Sequence, residues 1–188
     1  MGLTVARLKV VCFARKGGLV RRICVWLPLF AVLVVGQAGG QSASESPTKP
    51  INVGEATRVE GAVRSFMATI ARDVTHDGPV AWSKHFADSP AFFMVDDGQM
   101  AFPDSAAASQ GIHDFAGTIK SIRLEWGNDL RVDPLTSKFA VVAASYFEEQ
   151  EPVSGKLVQE RGYFTGIAEL RDGRWQIRDA HWSSLRGK

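Results

Sequence analysis

Gly162-Tyr-Phe-Thr-Gly-Ile-Ala-Glu-Leu-Arg-Asp-Gly-Arg-Trp-Gln-Ile-Arg-Asp-Ala-His-Trp-Ser183 is the stretch whose reading decides the fold. Two alternating apolar runs flank Asp172-Gly173, a dipeptide suited to the tight turn of a β-hairpin. With those two as turn residues, Leu170 faces Trp175, Ala168 faces Ile177, Gly166 faces Asp179 and Phe164 faces His181. One face is then apolar near the turn and gains a carboxylate and an imidazole further along.

Working back from the hairpin, the apolar period is already two from Ser121 onward. Ile122, Leu124, Trp126, Asn128, Leu130 and Val132 alternate with charged residues, and Phe139, Val141, Ala143, Ser145 and Phe147 follow a turn at Asp133-Pro134. Pairing Val132 with Phe139 sets Trp126 opposite Ser145 and Asn128 opposite Ala143. A turn centred on Ser154-Gly155 sets Phe147 opposite Gly162 and Ser145 opposite Phe164. All four strands then share one apolar face, and a slip of one residue would turn a strand's apolar set outward. Two rows follow: Asn128, Ala143, Gly166, Asp179, and beside it Trp126, Ser145, Phe164, His181. On the other face Tyr146, Tyr163 and Trp182 line up, next to expected Arg123–Glu148 and Glu148–Arg161 ion pairs.

Before the strands the period is helical. Val59, Val63, Phe66, Met67, Ile70 and Val74 fall on one side of a helix over 55–75. Asp77-Gly78-Pro79 ends it and opens a short second helix to about Ala87, carrying Trp82, His85 and Phe86. Ala91–Val95 and Gln99–Phe102 read as a small hairpin around Asp96-Asp97-Gly98. Gly111–Ile119 reads as a third helix with Ile112, Phe115, Ala116 and Ile119 inward.

Three helices around a small hairpin, then a four-stranded meander, resemble the nuclear-transport-factor-2-like superfamily in its ketosteroid-isomerase-like and SnoaL-like branch. Phe86-Ala87-Asp88, Gly111 to Phe115, Asp172-Gly173-Arg174-Trp175 and Ala180-His181-Trp182-Ser183 carry the likeness, which covers about 55–185. It implies an α+β cone, three N-terminal helices packed in a strongly bent antiparallel sheet (a cystatin-like α+β barrel), around a deep pocket. It also implies pairing through the outer sheet face, where the Tyr146, Tyr163 and Trp182 row is expected to make a homodimer. Counted from Phe86-Ala87-Asp88, the isomerase's general base falls near Met94 and its protonated oxyanion-hole carboxyl near Gly166. Neither residue can do that work, so steroid isomerisation by that pair is not expected.

The rows suggest a pocket for a small, largely apolar organic molecule. Trp82, Phe93, Trp126 and Phe164 would line it, with Asn128, Ser145, Asp179 and His181 at its polar end. Asp179 and His181, two apart on one strand, share a face; His181 could move a proton while Asp179 sets its charge, as a lyase, isomerase or cyclase requires. A purely structural role for both, or a non-catalytic dimerisation module, would leave the same pattern. His76, His85 and His113 read as surface residues, and Glu148-Glu149-Gln150-Glu151 as a solvated strand end. No histidine pair has metal-ligand spacing and no glycine-rich loop opens a helix, so neither metal nor cofactor is expected.

The first forty residues are of another kind. Six basic residues, Arg7 to Arg22, precede the apolar run Ile23–Val35, and small residues follow to Ala43. That is the pattern of a signal peptide over 1–40, cleaved after Ala38 or Ala43, although an uncleaved anchor shares it. Of 22 Lys and Arg the leader holds six, and of 20 acids none, so residues 41–188 carry a net charge of −4. A nucleic-acid partner is not expected from such a chain. Both cysteines, Cys12 and Cys24, lie in the leader. A Ser-, Pro- and Gly-rich tether over 41–54 and one domain over 55–186 complete the reading, in a periplasmic or secreted protein with no lasting membrane span.

Overall fold

Asp172 and Gly173 adopt φ of 50° and 76°, and Asp97 and Gly98 adopt 47° and 78°. Two consecutive left-handed residues twist a two-residue turn in the sense that strands twist, which is why both sites make tight hairpins. The computed structural model describes residues 51–185; the leader and residues 41–50 of the tether lie outside them.

Helix α1 runs Val53–Asp77, two residues earlier than expected, so Val53 and Gly54 belong to its first turn and not to the tether. Asn52 caps it by accepting from the Glu55 N–H at 2.9 Å, and Gly78, at φ 80°, ends it. Its buried residues are the expected six, Val59, Val63, Phe66, Met67, Ile70 and Val74. A 3-10 turn over Pro79–Ala81 leads into the single turn of α2, Trp82–His85. Helix α3 spans Ser105–Ala116, because Asp104 caps it by accepting from Ala107 N–H at 2.8 Å. It therefore starts and ends before the expected Gly111–Ile119, and Ile119 opens the next strand.

The strands are β1 (Phe93–Asp96), β2 (Gln99–Phe102), β3 (Ile119–Trp126), β4 (Arg131–Pro134), β5 (Phe139–Pro152), β6 (Val158–Arg171) and β7 (Arg174–Ser184). They form one curved sheet in the order β2-β1-β7-β6-β5-β3, with β4 also on β5. Strand β1 runs parallel to β7, so the sheet is mixed where an antiparallel one was expected. Helix α1 packs on β3 and β4. Thr75 Oγ1 accepts from the edge-strand amide Leu124 N–H at 3.0 Å, and Trp126 Nε1 donates to Met67 O at 2.8 Å. The first of these bonds uses an amide that an edge strand otherwise leaves open.

Three features change the expected register. The β5–β6 connection pairs Tyr146 with Gly162, Ala144 with Phe164 and Val142 with Gly166, one residue off the expected alignment. Strand β5 therefore turns Ala140, Val142, Ala144 and Tyr146 inward, and Phe139, Val141, Ala143, Ser145 and Phe147 outward. In the opening hairpin Leu170–Trp175 and Ala168–Ile177 pair as expected, but a bulge at Arg178 then pairs Ile167 with Asp179 and Phe164 with Trp182. Beyond that extra residue, Ala180 and Trp182 point inward, and Asp179 and His181 outward. Finally, β3 and β4 are interrupted at Gly127–Leu130, so Trp126 pairs with Tyr146 and Val132 with Val142.

Both expected cross-strand rows dissolve as a result. The aromatic row on the outer face does too: Tyr146 is 4% exposed and faces the helices with Trp182, leaving only Tyr163, 41% exposed, on the outside. The Arg123–Glu148 and Glu148–Arg161 pairs are absent among the described residues. Arg123 pairs instead with Glu125 at 3.2 Å, and the Arg123 and Arg161 guanidinium groups lie 5.4 and 4.4 Å from the Phe147 ring centre.

Candidate functional site

The inner face of β5 does not stop at Tyr146. Alternation carries it on to Glu148 and Gln150, and on β6 it carries Phe164 and Gly162 on to Glu160. Glu148 and Glu160 are direct cross-strand partners, so two carboxyl groups share the concave face near the 153–157 connection. Tyr146 Oη donates to Glu160 Oε1 at 2.5 Å, and Gln150 Nε2 donates to Glu148. Gly162, opposite Tyr146, makes room for the phenol, since a Cβ there would lie 2.6 Å from Tyr146 Oη. Asp96 joins from β1, paired in parallel with Trp182.

Behind this polar end the cone is filled. The Trp182 ring centre lies 5.6 Å from Trp82, 5.8 Å from Trp126, 4.8 Å from Tyr146 and 4.8 Å from Phe164. Phe86 stacks on Trp82 at 5.2 Å and meets Phe92 at 5.0 Å. Phe164, 1% exposed, and Phe92 close the centre. Met94 and Gly166, the positions counted for the isomerase carboxyls, do come together here, each paired with Ala180. They supply a thioether and a bare backbone, in a packed region.

Protons are held unusually tightly at the polar end. Burial, with Glu160 and Asp96 adding repulsion against the Gln150 hydrogen bond, pushes Glu148 up to about 7. Burial also raises Asp96, reinforced by Asp97 and Glu160 and opposed by His181. The Tyr146 phenol is raised by burial and by its bond to the Glu160 carboxylate, so it stays a donor. Near neutral pH the cluster therefore offers a carboxyl that can give or take a proton, a fixed phenol and a carboxylate. Among the described residues no three His, Asp or Glu side chains converge as metal ligands do.

The eight residues expected to form one pocket separate into three groups. Trp82, Trp126 and Phe164 lie inside, around Trp182. Phe93, Asp179 and His181 meet on the outer face, with Val141, Thr165 and Ile167, around a groove of about 180 Å³. Asn128 is exposed in the turn between β3 and β4, and Ser145 points outward, donating from N and Oγ to Asp129 Oδ1 at 3.0 and 2.8 Å. Those two bonds hold the Asp129 carboxyl below its usual range. Of the histidines, His76 and His113 are exposed as expected, but His85 is buried, edge-on to Phe66 and with Nε2 3.2 Å from Asp73 Oδ2. Burial lowers its proton affinity and the neighbouring Asp73 partly restores it.

Glu148 and Glu160 were missed because the run Glu148–Glu151 looks like a solvated strand end. The usable signal was parity: once Phe164 is inward, Gly162 and Glu160 must follow it, and a polar residue continuing an apolar face marks where the core ends and a site begins.

Comparison with known proteins agrees with this geometry at the level of fold. No protein-family model matches the chain, and no curated protein matches it. Among solved structures, a nuclear transport factor 2-like superfamily protein from Salmonella enterica serovar Typhimurium is similar over 70% of this chain and 94% of its own, at TM-score 0.61 and 12% identity. A hexachlorocyclohexane dehydrochlorinase, LinA type 2, is similar over 70% and 92%, at TM-score 0.53 and 12% identity. An NTF2-like protein of unknown function from Shewanella oneidensis is similar over 66% and 98%, at TM-score 0.53 and 12% identity. The chain has the nuclear-transport-factor-2-like fold.

Proposed function

We propose that this chain is an exported domain that binds a small organic molecule at the polar end of its inner sheet face. Trp126 and Trp182 would give the molecule an apolar edge, and Tyr146, Glu148, Glu160 and Asp96 would contact its polar group. One observation carries the reading. Glu148 faces inward, opposite Glu160, with a proton affinity raised to about 7, an arrangement with no evident structural benefit. A fold gains nothing from two carboxyl groups placed opposite each other, and the repulsion is tolerable where a ligand uses it. Export is supported by the basic and apolar pattern of residues 1–40, and mass spectrometry of the secreted or periplasmic chain should find its N-terminus after Ala38 or Ala43.

A second reading, proton transfer to or from the bound molecule, is favoured by the same near-neutral carboxyl. Glu148 would take the proton, and Tyr146, turning its one O–H away from Glu160, would hold the oxygen or halide that develops charge. That a dehydrochlorinase shares the fold supports this reading, because removing hydrogen chloride takes a proton from the molecule.

The test is a thermal-shift screen of small aromatic, alicyclic and hydroxylated compounds against the wild type, Glu148→Gln and Tyr146→Phe. Hits should depend on both side chains, losing about tenfold or more in affinity in either variant. Hits that bind all three proteins alike would overturn the assignment, as would a wild type that binds none of the panel.

A further inference from the structure

His85 plays no part in the inner site, and it stands where a charge is hard to keep. It ends the single turn of α2, 6% exposed and edge-on to Phe66 of α1, with ring centres 5.8 Å apart. Its Nε2 is buried and lies 3.2 Å from Asp73 Oδ2, but without the alignment of a hydrogen bond. Asp73 is engaged through its other oxygen by Arg72 at 3.0 Å. The charges acting on the ring are Asp73 and Arg72 from α1 and Lys84 from α2. Helix α3 and strand β7, which also pack on α2, add none. Burial disfavours the imidazolium more than Asp73 favours it, so the packed ring stays neutral where a solvated histidine takes up a proton.

The same turn helps to hold the aromatic cluster shut. Trp82, its first residue, lies 5.6 Å from Trp182 and stacks on Phe86. Gly78, at φ 80°, precedes the segment, and Ala87 N–H, donating to Ile177 O at 2.8 Å, fixes the chain just past it. Between those two points the polar tie to α1 is an exposed one, Lys84 to Asp77 at 2.6 Å, beside His76. We propose that His85 is a proton-operated latch: uptake of a proton releases residues 79–85 from α1, and Trp82 leaves Trp182 with them. The closed form keeps the imidazole neutral, whereas the open form, with the ring in water, binds a proton near the ordinary 6.5. Acid therefore favours opening, by at most about tenfold for each pH unit below that value. Glu148 and Asp96 act in the opposite sense, because raised carboxyls lose their stabilising effect as pH rises. The latch gives a filled cone a way in through its wall, whether or not the inner face binds a molecule.

Hydrogen exchange, corrected for the intrinsic rate at each pH, reads the opening at the Ala81, Trp82 and Phe86 amides, all bonded within the segment. From about pH 7.5 to about pH 5 the open fraction there should rise about threefold or more, while the Val63 and Ile70 amides of α1 stay as they were. His85→Gln should remove the rise. Asp73→Asn, which deprives the closed imidazolium of its carboxylate, should enlarge it at pH 5, and it decides the matter if His85→Gln does not fold. A rise below about twofold would overturn the proposal, as would one shared equally by α1. So would a rise that survives His85→Gln, which would belong to His76, or an Asp73→Asn protein that opens no further than the wild type.

Discussion

Tyr146 and Phe147 are neighbours in the chain and live in opposite environments. The phenol, the more polar of the two, is buried against Trp182 and Glu160, whereas the phenyl ring is half-buried on the outer face beneath two arginines. Hydrophobicity alone would have ordered them the other way. Each ring has its own compensation: the phenol finds a carboxylate acceptor inside, and the phenyl finds cations outside. Strand register chooses which residue goes in, and local chemistry makes the choice tolerable.

The comparison breaks most severely at Trp182, which touches four aromatic rings of the inner face. Trp182→Ala should cost about 3–5 kcal/mol, read from denaturant unfolding, because the rings around it cannot collapse into so large a void. An effect below about 1.5 kcal/mol would mean that the inner aromatics are not one packed cluster.

A smaller effect, and a pH-dependent one, is expected at Glu148. In the folded chain its carboxyl holds a proton more tightly, at about 7, than the ordinary value of 4.5. The resulting stability is complete below about pH 4.5, declines as pH rises through 7 and is gone above it. Allowing for partial exposure, the loss is about 2 kcal/mol. Glu148→Gln should flatten that slope and leave the variant more stable than the wild type at pH 8. An unchanged slope between pH 5 and pH 8 would show that the carboxyl is not held near 7. The least is expected at Phe147: its change to Ala should cost about 1 kcal/mol, since only part of its surface and two exposed cations are involved.

The buried face of helix α1 was legible to the residue, because a charged solvent face and an apolar core face leave only one way to lay it down, although the helix runs two residues further at each end than expected. The Asp172-Gly173 turn was equally plain, and so was β6, where glycines and Phe164 alternate with charged and hydroxyl residues. Strand β5 was not, since Phe139, Val141 and Phe147 on one side compete with Ala140, Val142 and Tyr146 on the other. The interior took the smaller set because Phe164, Trp126 and Trp182 already fill the space that the larger one would need. Nor could the sequence announce the bulge at Arg178. Nothing there resembles a turn, and one unpaired residue reverses every side chain after it. The candidate site inherited both errors. Asp179 and His181 were recognised as a pair sharing a face, but they were assigned to the wrong side of the sheet. Glu148 went unrecognised because the wrong face of β5 was turned inward, and Glu160 because the inward face of β6 was not followed past Gly162.

Strand β7, the last of the described strands in chain order, lies in the middle of the sheet, between β1 and β6. Until it emerges, the β1–β2 hairpin has no neighbour to join, and the pairing of Asp96 with Trp182 must close a loop of more than eighty residues. Contacts of that span are slow to form. Assembly of the sheet therefore waits on β7, and a nascent chain halted before Gly173 would hold two unconnected pieces of sheet with their aromatic faces open to water.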